Sequence, residues 1–179
     1  MKENDILSKG KLIEVGRNDL VARYVGWTAK TVKAKFAEAK GSVLFIDEAY
    51  SLLDNRSGSF GDEAINTIVQ EMENTREDTI VVFAGYPREI EHFMSRNPGL
   101  SNRIAYHINF PDYNEGKLFE IAKAMLKEQN LKLDESAIPR VKSIIVSGCR
   151  ESNFGNGRYV RNILDKAKMK QASRLVASV

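Results

Sequence analysis

The run Val43-Leu44-Phe45-Ile46 shows no alternation of apolar and polar residues, and it ends on two adjacent carboxylates, Asp47 and Glu48. A strand with one wet face alternates, so an unbroken apolar run of this length describes a strand covered on both faces, as in parallel α/β sheets. Ligands of such sheets bind in the crevice beyond the carboxyl ends of the strands, which is where the two acids are carried. The plainer alternative is a strand that runs out into a polar loop, where Asp and Glu are common. Thr79-Ile80-Val81-Val82-Phe83-Ala84 has the same all-apolar character. The expected class is therefore α/β.

The remaining pattern extends this reading. Leu12-Ile13-Glu14-Val15 reads as a short strand, and Thr28 as the N-cap of a helix with apolar Ala29, Val32, Phe36 and Ala39. A polar, glycine-bearing loop over 54–61 leads into a helix marked by Ile65, Ile68, Val69 and Met72. His107-Ile108-Asn109-Phe110 is the expected last strand, stopped by Pro111. Three helices follow, over roughly 114–128, 135–147 and 156–176, with caps at Asn114, at Asp134 or Ser136, and at Asn156. An α/β part, 1–111, thus gives way to a helical part, 112–179.

Composition removes several classes of function. With 42% apolar and 28% charged residues and a net charge of +3, the chain has an ordinary globular balance and no basic tract expected to bind nucleic acid. Lys30, Lys33, Lys35 and Lys40 read as a solvated helix face. Cys149 is the only cysteine, so no disulfide forms within the chain. His92 and His107 stand apart without a ligand pattern, which argues against zinc. Met72, Met94, Met125 and Met169 suit core filling, and no Ser/His/Asp grouping suggests a nucleophile. No apolar stretch is long enough to span a membrane, and residues 1–5 lack a secretory signal's apolar core, so the expectation is a cytoplasmic protein without a membrane partner.

The acids have a specific chemical use. Asp47 can hold Mg²⁺ through its water shell, and Glu48 can orient and polarise a water that attacks a γ-phosphate. Nowhere in the 179 residues, however, is there a G-x-x-x-x-G-K-[ST] loop to hold the phosphates themselves.

Further segments recur with the order and spacing of one family. The run 43–49 is similar to a Walker B strand. Asp19 to Ala29, including Tyr24-Val25-Gly26, resembles a pore loop; Ala84-Gly85-Tyr86 resembles a sensor-1 turn. Asn97 to Ile104, with Arg103, resembles an arginine-finger segment, and Gly155 to Asn162, with Arg158 and Arg161, a sensor-2 helix start. Together they resemble an AAA+ ATPase of the branch containing red-type Rubisco activase and the stage V sporulation protein K. The match is nearly collinear from about Leu7 to Leu175. It implies an N-terminally truncated domain: a partial P-loop NTPase parallel sheet, lacking its central first strand, followed by a small all-α lid.

The resemblance implies ATP and Mg²⁺ as cofactors, ring assembly, hexameric when intact, and a protein substrate that is threaded or remodelled. Tyr24 would grip that substrate, with core packing of Tyr24 and Trp27 as the alternative. Arg103 would reach a neighbour's γ-phosphate, Tyr86 would position water, and Arg158 or Arg161 would bring charge from the lid. Ser101 stands where relatives have a second arginine. The family's strand order, 5-1-4-3-2, would leave the edges of 80–84 and 107–110 unpaired, which predicts association through the α/β part or a displaced last strand. Residues 1–9 are too few and too polar to replace the missing strand. Two alternatives stand beside the motor: a non-hydrolysing interaction module that supplies Arg103 to partners, and, from Asp47-Glu48-Ala49-Tyr50, a DEAD-type helicase core. No Ser-Ala-Thr follows to support the latter. ATP poorly bound or not bound by this chain alone is the expectation.

Overall fold

The computed structural model describes residues 6–24, 26–53, 60–150 and 154–177. They fall into two compact units, Met1–Asn109 and Phe110–Val179.

The first unit is built on three parallel strands, β1 (Leu12–Val15), β2 (Ser42–Ile46) and β3 (Thr79–Phe83), in the order β1-β2-β3. Leu12 pairs with Val43 and Val43 with Ile80, so the strands run in step. Parallel neighbours need crossovers, and helices supply them: α2 (Thr28–Ala39) joins β1 to β2, and α3 (Phe60–Asn74) lies between β2 and β3. On α2 the buried residues Thr28, Val32, Phe36 and Ala39 recur every three or four positions, and on α3 Ala64, Ile65 and Ile68 do the same. These faces meet, and with Leu44, Ile46 and Leu52 they form one apolar cluster. Most of the loop expected over 54–61 lies outside the described residues.

Three short helices were not evident from sequence: α1 (Arg17–Leu20), α4 (Pro87–Ser95) and α5 (Pro98–Ser101). Each plugs the core with a large residue: Leu20, Phe93 and Leu100. Thr28 is the first residue of α2 and not its cap; its hydroxyl instead accepts the Ala22 N–H at 3.2 Å.

Two strand expectations are corrected. Residues 104–114 contain no helix or strand, so the anticipated strand at His107–Phe110 does not form. A strand persists by pairing, and among the described residues no strand pairs with the outer edge of β3. Tyr106, Ile108 and Phe110 are accordingly 85%, 77% and 86% exposed. β3 was expected to be covered on both faces; with only one neighbour, Ile80, Val81 and Phe83 are half-buried and Val82 is exposed.

The amino-terminal rim of the sheet is clasped. Gly41, at φ +78°, accepts the N–H groups of Lys9 and Gly10, both at 2.8 Å, while the Asp78 carboxylate accepts the Ser8 N–H at 3.0 Å and its hydroxyl at 2.8 Å. A Cβ at Gly41 would meet Ser8 Oγ at 2.2 Å, so no other residue fits there without displacing the clasp.

The second unit comprises α6 (Glu115–Glu128), α7 (Ile138–Gly148) and α8 (Asn156–Ala177). Asn114 caps α6 by accepting the Lys117 N–H at 2.9 Å, and Asp134 accepts the Ser136 N–H at 2.9 Å to open a 3₁₀ turn, Glu135–Ala137, before α7. Asn156 opens α8 with a left-handed backbone, φ +47°; its side chain accepts the Tyr113 N–H at 2.9 Å and donates to Asp112 at 2.6 Å. Leu118, Ala122, Leu126, Ile145, Val160 and Leu164 make a second, separate core.

Candidate functional site

The carboxylates leave the sheet together. The Asp47 N–H still donates to Val15 O (2.9 Å), the last bond toward β1, and the next residue turns sharply: Glu48 has φ +46° and ψ +46°. A left-handed conformation is unfavourable for a non-glycine residue, and strain of this kind is retained where surrounding bonds fix it. Here the Asp47 Oδ1 accepts the Glu48 N–H at 2.9 Å. Ala49 N–H donates to Ala84 O (3.0 Å), and Ala84 N–H to Ile46 O (2.9 Å), so the exits of β2 and β3 are stitched together. Both acidic side chains are exposed, as a ligand-facing pair must be.

That stitching brings Tyr86 to the same rim. It precedes α4 in an extended conformation, is exposed, and accepts the Ile90 N–H at 2.9 Å through its carbonyl. Tyr50 was not singled out from sequence, yet it fills the space between the two exits. Its ring centroid lies 6.4 Å from that of Tyr86, and a Cβ on Gly85 would come within 2.8 Å of its ring. Burial pushes the Tyr50 hydroxyl pKa up, and the negative charge of Glu48 pushes it further, with smaller contributions from Tyr86, Glu89 and Asp47. Tyr50 therefore stays protonated beside the acids. A glycine two residues past a strand, facing an aromatic two residues past Glu48, was the available signal.

Arg103 is not brought to this rim. It follows α5, where its Nη1 donates to Gly99 O (2.9 Å) and its Nε lies 3.5 Å from the Glu73 carboxylate. Glu73 closes α3 just before the turn into β3, so it stands at the amino-terminal end of the strands, opposite Asp47 and Glu48. Glu73 also bonds Arg76 at 3.1 Å, and its part as Arg103's partner had no signature in sequence. Arg158, in the first turn of α8, and Arg161 belong to the second unit, and both are exposed.

Tyr24 is 72% exposed and Trp27 57%, so neither packs in the core. The Trp27 N–H donates to Tyr24 O (3.3 Å), closing a turn through Gly26 at φ +77°. Val25, the remaining member of this loop, lies outside the described residues.

Two carboxylates at a strand end suit a Mg²⁺ ion that completes its octahedron with waters and phosphate oxygens. They do not suit a metal held by protein alone, and no cluster of three or more His, Cys, Asp or Glu occurs among the described residues. The only thiol, Cys149, is half-buried; burial raises its pKa and Glu115 adds to the rise, so it is not an activated nucleophile. No described helix is long and apolar enough to cross a membrane.

The sequence matches known families, and the fold matches a solved structure. Residues 4–112 match the ATPase family associated with various cellular activities (AAA), and residues 114–179 match the AAA lid domain. The chain is similar to stage V sporulation protein K of Bacillus subtilis, with 44% identity over 177 residues, covering 97% of this chain and 55% of that protein. It is 46% identical over 169 residues to protein CbbX of Cereibacter sphaeroides, covering 93% of this chain and 54% of CbbX. Over 174 residues it is 44% identical to the chloroplastic ribulose bisphosphate carboxylase/oxygenase activase of Cyanidioschyzon merolae, covering 96% of this chain and 59% of that protein. The chain thus spans little more than half the length of these relatives. Among solved structures, the FIGL-1 AAA domain in complex with ADP superposes with a TM-score of 0.62 at 19% identity, over 88% of this chain and 51% of that one, a likeness of fold.

Proposed function

The chain belongs to the AAA family of ATPases, and we propose that it is the carboxylate-bearing and lid-bearing portion of a ring-forming motor that couples ATP hydrolysis to remodelling of a protein partner. The observation that carries this reading is the shared rim: Asp47 and Glu48 from β2 and Tyr86 from β3 stand exposed at adjacent strand exits, locked by the Tyr50–Gly85 contact. Mg²⁺-ATP, when bound, would supply the electrophilic γ-phosphorus and ADP as the leaving group. Asp47 would hold the metal's water shell, Glu48 would take the proton of the attacking water, and Tyr86 would orient that water. Arg103, fixed at the opposite rim, serves the site of an adjacent subunit, which makes hydrolysis a property of the ring, a hexamer in this reading. Arg158 or Arg161 adds charge from the lid. Tyr24, Val25 and Gly26 contact the polypeptide being remodelled.

The phosphate cradle is not among these 179 residues. That fact favours a second reading, an interaction module that lends Arg103 without hydrolysing ATP itself. Calorimetry with Mg²⁺-ATP on the chain alone is expected to show no binding in the micromolar range. Replacing the matching portion of stage V sporulation protein K with this chain then separates the readings. In that chimera Glu48→Gln is expected to lower kcat by at least about a hundredfold, and Arg103→Ala by about a thousandfold. Mixing the two variants is expected to restore part of the activity, because each supplies what the other lacks. A chimera indifferent to Glu48→Gln refutes the motor.

A further inference from the structure

Five side chains around the first turn of α2 form a patch that the hydrolytic machinery does not use. Tyr24 and Trp27 are the two ends of one closed turn, and both rings face solvent. Lys30 lies one helical turn beyond Trp27, with its Nζ 5.3 Å from the indole centroid, and Lys33 follows at the same spacing. Arg23 is exposed beside Tyr24. Among the described residues none of these three cations is ion-paired. The carboxylates nearest in sequence or packing are already engaged: Asp19 accepts the Gly16 N–H at 2.9 Å, and Glu63 accepts the Ala29 N–H at 3.3 Å.

We propose that this patch selects polypeptide segments rich in Asp and Glu, with Tyr24 and Trp27 providing apolar contact and Arg23, Lys30 and Lys33 meeting the carboxylates. The proposal rests on the reading of Tyr24 as a substrate-gripping residue and adds what the gripped segment must look like. Two aromatics alone accept many sequences; three unpaired cations beside them favour acidic ones and disfavour basic ones. Nucleic acid is the competing anion. It is disfavoured because the Lys30 ammonium occupies a face of Trp27, where a base would have to stack.

Trp27 is the chain's only tryptophan, so its emission reports directly on the patch. The test titrates the 179-residue chain with three peptides of equal length, alike except for Glu, Gln or Lys at alternate positions, and with oligo(dT). The Glu peptide is expected to bind about tenfold more tightly than the Gln peptide at low salt, and the advantage is expected to shrink toward parity in about 0.5 M NaCl. The double variant Lys30→Glu and Lys33→Glu is expected to turn the preference toward the Lys peptide, while charge reversal at Lys166 and Lys170, exposed on α8, leaves it unchanged. Far-UV circular dichroism checks that each variant is folded; should the double variant unfold, Arg23→Gln is expected to weaken the preference about threefold.

Equal affinity for Glu and Gln peptides overturns the proposal, and so does tighter binding of oligo(dT) than of the Glu peptide. Silence toward every peptide up to about 5 mM overturns it too. Equal binding that Tyr24→Ala abolishes removes only the charge preference and leaves the gripping loop standing. Binding that Tyr24→Ala leaves untouched removes the loop's role itself.

Discussion

Asp78 illustrates how a single side chain ties distant sequence together. Its carboxylate takes two hydrogen bonds from Ser8, one from the N–H and one from the hydroxyl, and these bonds lower its pKa below the usual carboxylate value; burial opposes them, and Lys40 and Lys9 add the smallest lowering effects. A carboxylate whose folded pKa lies under its unfolded value of about 3.9 stabilises the fold fully above that pH and ceases to do so as pH falls through the folded value. Thermal melts between neutral pH and about pH 2.5 are expected to show a steeper acid limb for the native chain than for Asp78→Asn, which should be less stable at neutral pH and converge with it in acid. At this scale the sequence was informative about residue types and silent about partners. Asp47 and Glu48 were readable because an apolar strand points at them. The left-handed backbone of Glu48, the wedge of Tyr50 against Gly85 and the Glu73–Arg103 pair depend on tertiary contacts that no local pattern encodes.

Among elements, β2 and β3 make the clearest contrast. β2 has a neighbour on each side, whereas among the described residues β3 pairs with β2 alone. The bonds Gly41 N–H to Asp78 O and Ala84 N–H to Ile46 O show that Asp78 and Ala84 face β2, and by the two-residue repeat so do Ile80 and Val82. Val81 and Phe83 therefore point their N–H groups away from the sheet. Hydrogen exchange followed by NMR is expected to find the Val81 and Phe83 amides faster than those of Ile80 and Val82 by on the order of a hundredfold. Slow exchange at all four would mean that the outer edge of β3 is covered in solution. Strands expected over 12–15, 43–47 and 79–84 were legible because largely apolar runs of that length permit little else, and they form over Leu12–Val15, Ser42–Ile46 and Thr79–Phe83. The misreading at His107–Phe110 has a physical cause: propensity marks a segment able to pair, and pairing requires a neighbour. Helix α4 was legible in retrospect, since Pro87 suits a first helical position and Ile90, Phe93 and Met94 share a face.

The molecule as a whole is two bodies with two cores. Leu118 is fully buried in the core of the helical one. Leu118→Ala is expected to cost about 2–5 kcal/mol in that unit. Because Trp27 reports on the first unit and most of the helix signal of 110–177 on the second, fluorescence and circular dichroism melts of this variant should separate. Coincident melts would mean that the units unfold as one. The expectation of a division near Pro111 rested on strands giving way to helices, a change in hydrophobic period that needs no tertiary information.

The aromatic residues between the two bodies carry a practical consequence. Tyr106, Phe110 and Tyr113 lie in a stretch without helix or strand and are exposed, which leaves them accessible to a protease specific for large aromatic residues. Brief digestion with chymotrypsin should cut there ahead of the buried Phe36 and Phe93, leaving a sheet-bearing piece and a lid-bearing piece, each retaining its own apolar cluster.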